Sequence, residues 1–336
     1  MSSITGMLRG SHFRPPRAER THTGHPENCG SLVRMSSQQF RTSGRSSKRP
    51  LQGRDAGAGT GFLFCLATIA SAVGLAATYY FFVRTTAGQF IDESALVEAT
   101  VLGGTAGRAS TEFLDMLPML SLAIAAIMVL FVTVARRRWT AAGIAVAACI
   151  AANAATQILK LLIPDRPDRG VQTLELNSLP SGHTTLAASA AAAVFLMVSP
   201  RWRPLAGFLG STFAVATGVS TLINQWHRPA DVVAAFLVVA AVMLPAGWLI
   251  LRTGNSWNVW KGYGEHWAAS RLWVWLTVAA LVIAGLVAAY SLLQVPDLST
   301  DSTIDYFWAG TAFIVIAGYL SALGGTWLFG LAARKG

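Results

Sequence analysis

The chain has 336 residues, of which 53% are hydrophobic and only 12% are Asp, Glu, Lys or Arg, with a formal net charge of +10. A soluble domain carries about 25% charged residues, so this composition excludes an ordinary soluble fold, and the mean hydropathy of +0.48 points to lipid as the surrounding solvent. The positive balance does not indicate nucleic acid: ten of the 26 Lys and Arg lie in the first 54 residues and most others flank apolar runs, the pattern of orientation signals and anionic-lipid contact.

Residues 1–60 are rich in Ser, Arg, Gly and Pro and have no apolar period, which predicts a disordered basic tail that meets anionic lipid headgroups. No short apolar run of the signal-peptide kind precedes residue 61, so the first apolar stretch is expected to be a retained helix. Eight such stretches follow, at roughly 61–83, 114–135, 140–162, 184–199, 205–223, 232–251, 272–293 and 307–331. In lipid every backbone polar group must be satisfied within its own segment, and the alternation of barrel strands is missing, so these are helices. The expected fold is an all-α polytopic membrane protein with about eight transmembrane helices. It divides into the tail (1–60), a six-helix domain (61–251), a cytoplasmic aromatic loop (252–271) and two additional helices with a short tail (272–336). The loop holds Trp257, Trp260, Tyr263, His266 and Trp267, which reads as an interfacial belt. Cys65 and Cys149 fall in spans and Cys29 in the tail, giving neither a disulfide framework nor a metal-ligand spacing.

Basic residues set the orientation. With the amino terminus inside, the inner segments hold 20 Lys and Arg and the outer ones six: Arg84, Arg108, Lys160, Arg166, Arg169 and Arg228. The expectation is a plasma-membrane (inner-membrane) protein with both termini cytoplasmic. Four of the six outer cations lie between Lys160 and Asp231, where the topology rule disfavours them, so chemistry is the better reason for their presence. The outer acids, Asp92, Glu93 and Glu98 among them, only agree with this orientation.

Three polar patches interrupt the apolar chain on that face. The first is Lys160, five residues, then Arg166-Pro167; the second is Pro180-Ser181-Gly182-His183; the third is Ser220-Thr221, five residues, His227, three residues, Asp231. Pro180 suits the first turn of a helix that Ser178 would cap, leaving the N–H groups of Ser181, Gly182 and His183 to face an anion, and Gly182 allows close approach. Four residues separate His227 from Asp231, so the carboxylate can accept Nδ1–H and leave Nε2 as a nucleophile. A Lys and an Arg to bind an anion, one His to attack phosphorus and one to protonate a leaving oxygen make a phosphoryl-transfer set.

This order of motifs resembles the type 2 phosphatidic acid phosphatase superfamily, in its membrane lipid phosphatase branch; glucose-6-phosphatase, polyprenyl pyrophosphate phosphatases and vanadium haloperoxidases are also members. The resemblance is dense between Lys160 and Asp231. It implies that Lys160, Arg166, Ser181 and Gly182 bind the phosphate, that His183 is the acid, that His227 is the nucleophile and that Asp231 supports it, with no metal or other cofactor. The first motif is one residue shorter than the family spacing. Thr221 stands where the family has an Arg, a bidentate clamp that a hydroxyl does not replace; Arg169 and Arg228 are the candidates to substitute for it.

The resemblance implies an integral membrane phosphatase that hydrolyses a phosphomonoester or pyrophosphate headgroup of a membrane lipid on the extracytoplasmic face through a phosphohistidine. The alternatives are a phosphotransferase using the same intermediate, and a non-catalytic lipid-binding protein, which Thr221 favours. No nucleic-acid partner is expected, and oligomeric state is left open.

Overall fold

A computed structural model describes residues 58–102, 106–172, 178–253, 258–260, 262–264, 266–295 and 304–335. Nearly all of the expected basic tail lies outside these residues, as does Trp257 of the aromatic loop.

Nine α-helices occur among the described residues: α1 (Ala58–Arg84), α2 (Thr86–Glu98), α3 (Ala106–Arg136), α4 (Trp139–Leu162), α5 (Gly182–Met197), α6 (Arg203–Ile223), α7 (Pro229–Arg252), α8 (Arg271–Gln294) and α9 (Asp305–Ala332). Short 3-10 turns follow α2 and precede α6 and α8, and a two-residue parallel bridge joins Val259–Trp260 to Arg334–Lys335. Every one of the eight expected stretches is occupied by a helix. Six helices (α1, α4, α6, α7, α8 and α9) are long and apolar enough to cross a membrane, which describes a multi-pass helical membrane protein. The expectation of eight full spans is corrected to six among the described residues: α3 is not one of them, and α5 is an apolar helix of only 16 residues. At 1.5 Å per residue it is shorter than a hydrocarbon core of about 30 Å. Its position explains why that length suffices: α3, α4, α6 and α7 pack around it, so protein rather than lipid surrounds much of its surface.

Small side chains make that packing possible. α5 buries Ala187, Ala188, Ala190 and Ala193, which let neighbouring backbones approach, the main source of helix adhesion where water does not drive association. α7 is packed among its neighbours over much of its length, whereas α1 is largely exposed and turns Phe62, Ile69 and Tyr80 outward. A largely apolar cavity of about 360 Å³ lies among α1, α5, α6, α7 and α9 and reaches exposed Leu320 and Ser321.

α2 was not foreseen as a helix. Thr85 caps it by accepting the Gly88 N–H, and the chain turns sharply out of α1 there; a side chain at Gly88 would collide with the Phe81 carbonyl. α2 then packs on α1, α7 and α9. It brings Asp92 and Glu93 over the start of α7, and Glu98 accepts the Phe307 N–H in the first turn of α9 at 2.8 Å. Gly310 on α9 leaves room for Pro229, so the start of α7 is held between α2 and α9. At the opposite end of the bundle, Arg203 donates to Asn258 Oδ1 at 3.1 Å, Asn258 donates to the Ala332 carbonyl at 3.0 Å, and Trp202 packs on His266 and Trp267.

Candidate functional site

The C-terminal ends of α4 and α6 and the N-terminal ends of α5 and α7 meet at one end of the bundle, which gathers the three polar patches. α6 stops at Ile223, and Gln225 takes a left-handed conformation (φ +58°). The reversal folds the chain back so that Trp226 N and His227 N both donate to the Thr221 carbonyl, at 2.9 and 3.3 Å. His227 therefore stands just before α7, and Asp231 lies in the first turn of that helix. His227 Nδ1 is 3.3 Å from Asp231 Oδ2, the pairing that the four-residue spacing predicts. That distance is at the long end of hydrogen bonding.

Asp231 is fully buried and serves several groups. Its Oδ2 also accepts from Ser178 Oγ and from the Arg228 N–H at 3.1 Å, and its backbone carbonyl accepts the Ser181 N–H at 2.9 Å. Two expectations about the Pro-Ser-Gly-His patch are thereby corrected. Ser178 does not cap α5; its hydroxyl turns to Asp231, and Ser181 is the cap, accepting the Thr184 N–H at 3.4 Å. The Ser181 N–H is not available to an anion, because the α7 carbonyl takes it. Gly182 and His183 become the first two residues of the helix, positions whose N–H groups have no intrahelical acceptor and favour an anion.

His183 is half-buried, and its ring centroid lies 6.4 Å from that of His227 and 5.3 Å from that of Trp226. Lys160, in the last turn of α4, reaches the same place: its Nζ is 4.0 Å from the point a Cβ would occupy on Gly182. Lys160, Gly182, His183 and His227 thus share one neighbourhood. Among the described residues Lys160 forms no ion pair.

The arginines behave differently. Arg166 has no exposed side-chain surface; its Nη2 donates to Asp92 Oδ2 at 2.8 Å and is 3.9 Å from Asp231 Oδ1. Asp92 Oδ1 accepts the Ala230 N–H at 2.9 Å, so the carboxylate holds both Arg166 and the start of α7. Burial raises the Asp92 carboxyl to about 6, with Arg166 opposing the rise and the Asp231 charge adding to it; at neutral pH it is ionised against the guanidinium. Arg228, whose side chain is 3% exposed, donates from Nε to Glu93 Oε2 at 2.6 Å and from Nη1 to Ser178 at 3.3 Å. Thr221 is fully buried, and its hydroxyl donates to the Gly218 carbonyl at 2.7 Å. Arg169 is exposed beside an Asx turn formed by Asp168 and Gly170. Arg228 is thus packed away from the open face, and no contact among the described residues sets Arg169 against either histidine.

Sequence reasoning missed Gln89, Asp92 and Glu93. Gln89 donates to the Val83 and Pro167 carbonyls at 2.8 and 2.9 Å, pinning the Arg-Pro loop to α1. The signal was present: three polar residues at i, i+3 and i+4 share one helix face. It was obscured because acids in an outer segment already agreed with the topology.

Residues 141–256 match the family model described as the PAP2 superfamily, so α4 to α7 form a PAP2 superfamily domain. No curated protein and no solved structure matches the chain. The matched segment contains every expected site residue, from Lys160 to Asp231, whereas α1, α2, α3, α8 and α9 lie outside it.

Proposed function

We propose that the protein is a membrane-embedded phosphohydrolase that acts on the phosphate of a membrane lipid through a phosphohistidine at His227. The observation that carries this reading is the arrangement of the two imidazoles. His227 is tied through Nδ1 to a buried carboxylate, and His183 stands 6.4 Å away, ring to ring, beside Lys160 and the start of α5. The two rings are near enough for one bound group to meet both.

In this mechanism Asp231 fixes the tautomer, so that the Nε2 lone pair of His227 attacks phosphorus. His183 gives its proton to the leaving oxygen and then removes one from the attacking water. Lys160 and the first N–H groups of α5 stabilise charge on the phosphoryl oxygens. Such a site suits a lipid whose headgroup lies at the surface while its tail stays in the bilayer. The distribution of Lys and Arg supports placing it outside the plasma membrane, with both termini cytoplasmic.

The test is product release from lipid phosphates in detergent micelles by the purified chain, with His227→Ala as control. Loss of turnover in the variant and trapping of a phosphorylated wild-type protein by an alkaline denaturing quench, which spares the acid-labile N–P bond, would support the mechanism; equal turnover by both would end it. For the orientation, a cysteine placed at position 169 should react with an impermeant thiol reagent in intact cells, and reaction only after permeabilisation would reverse it. A second reading, a lipid-binding protein without turnover, is favoured by the burial of Thr221 and Arg166 and requires that no lipid phosphate be consumed.

A further inference from the structure

We propose that the cavity among α1, α5, α6, α7 and α9 is a binding site for a hydrocarbon chain of a bilayer lipid that is not the substrate. Its mouth, its polar groups and its two ends define that occupant. The lining residues with exposed surface are Ala70, Leu320 and Ser321. Ala70 is near the midpoint of α1, and Leu320 and Ser321 are near that of α9. Both helices are long and apolar enough to cross a membrane. The cavity therefore meets its surroundings at the depth of the hydrocarbon core, where lipid tails are the solvent.

The lining offers little to a polar guest. Among the described residues its polar side chains are Ser71, Ser211 and Ser321. Each hydroxyl already donates to a carbonyl: Ser71 to Ala67 at 2.8 Å, Ser211 to Gly318 at 3.1 Å and Ser321 to Ala317 at 2.7 Å. A water held there needs about two to four polar partners, whereas an apolar guest needs none. A void forfeits dispersion contacts, and a chain drawn from the adjoining lipid restores them. The volume is about 360 Å³, and at ~30 Å³ for a water-sized group it takes roughly ten methylenes, a stretch of one chain rather than a whole lipid.

Close packing separates this cavity from the end of the bundle that holds the histidines. On α5 and α7 the lining starts at Ala188 and Phe236, five residues past His183 and Asp231 respectively. In the layer between, a side chain at Gly218 would collide with Val232 and crowd Ile314, and all three residues are buried. At the far end Gly247 packs in the same way against Phe329 and Leu196. A substrate tail descending inside the bundle meets the Gly218 layer, so the chain in the cavity enters from the bilayer at mid-depth. Its contacts tie α5, α6 and α7 of the PAP2 domain to α1 and α9, which lie outside the matched segment.

The test uses the full chain reconstituted in phosphatidylcholine vesicles that contain a phosphatidylcholine with a photoactivatable diazirine midway along one acyl chain. After illumination, insertion sites are mapped by peptide mass spectrometry. Insertion should occur at Ala188, Ala214 and Val239, which line the cavity and are buried, as well as at Val282 and Ile283, which are exposed on α8. Two variants fill the space: Gly324→Leu, at a lining position where a Cβ meets nothing within 4 Å, and Ser321→Trp at the mouth. Each should lower the buried labelling by ~10-fold or more, because the added side chain takes volume that the acyl chain would fill, and should leave labelling on α8 unchanged. Insertion confined to exposed positions in the wild type overturns the site, and that result needs neither variant to fold. Buried labelling that persists in both folded variants places the chain elsewhere and also overturns it. A further sample carries the same diazirine chain on phosphatidate instead. Buried labelling by phosphatidate alone assigns the chain to the substrate and overturns the separate-lipid assignment. None of these outcomes reads turnover, so the phosphohydrolase reading stands or falls independently.

Discussion

His183 and His227 stand together by the start of α5 whereas Arg166 and Arg228 pair with α2, and the two pairs are treated in opposite ways. The imidazoles come from the α5 and α6–α7 ends, and His183 is only partly buried. The guanidiniums are covered by α2, each with a carboxylate within 2.8 Å. Both pairs arise within the segment that matches the PAP2 superfamily, yet only the arginines are claimed by a helix from outside it. The lesson is that a cation in a phosphate-binding motif does not imply a cation available to phosphate. Buried guanidinium requires a partner, and once α2 supplies a carboxylate the arginine becomes a structural tie.

The sharpest way to break this comparison is to remove a group from each side and ask which property fails. His227→Ala should reduce turnover by ~1,000-fold or more with little change in the thermal midpoint; phosphate or alcohol release and a melting curve in detergent measure the two. Arg166→Ala should do the reverse of what a pure ligand role implies. It strands the buried Asp92 charge and should cost about 3–5 kcal/mol of stability, read as a large fall in the midpoint. The double change Arg166→Met with Asp92→Leu should recover most of that loss, because replacing both partners removes the stranded charge. If Arg166→Ala leaves stability untouched and abolishes substrate binding, the arginine side belongs to the substrate after all.

A smaller effect sharpens the imidazole side. His183→Ala should slow cleavage of a poor leaving group such as an alkoxide by ~100-fold or more and that of p-nitrophenolate much less, because a stable anion needs little protonation. Equal losses for the two would take the proton-donor role from His183. The smallest effect tests the Asp92 tie through pH. Its carboxyl is raised from 3.8 to about 6, chiefly by burial, so the folded state holds the proton more tightly than the unfolded state. The associated stability is present below 3.8 and is lost as pH rises through about 6. The wild-type midpoint should therefore decline over that interval and then level, and Asp92→Asn should lack that decline.

The sequence by itself determined the helical membrane class, the position of each long helix and the three polar patches, because lipid forces apolar runs into helices and makes any polar interruption conspicuous. It also determined the His227–Asp231 pairing, since a four-residue spacing across one helical turn is local geometry. Tertiary structure decided what spacing could not reach. Ser178 passes the α5 cap to Ser181 and turns to Asp231, 53 residues away. Asp92 finds Arg166 across 74 residues and Glu93 finds Arg228 across 135. α5 remains short because its neighbours surround it. The physical reason is the same in each case: periodicity and capping are properties of one segment, whereas the partner of a buried charge is chosen by the packing of segments distant in the chain, and α2 carries no signal of its destination until the bundle closes over it.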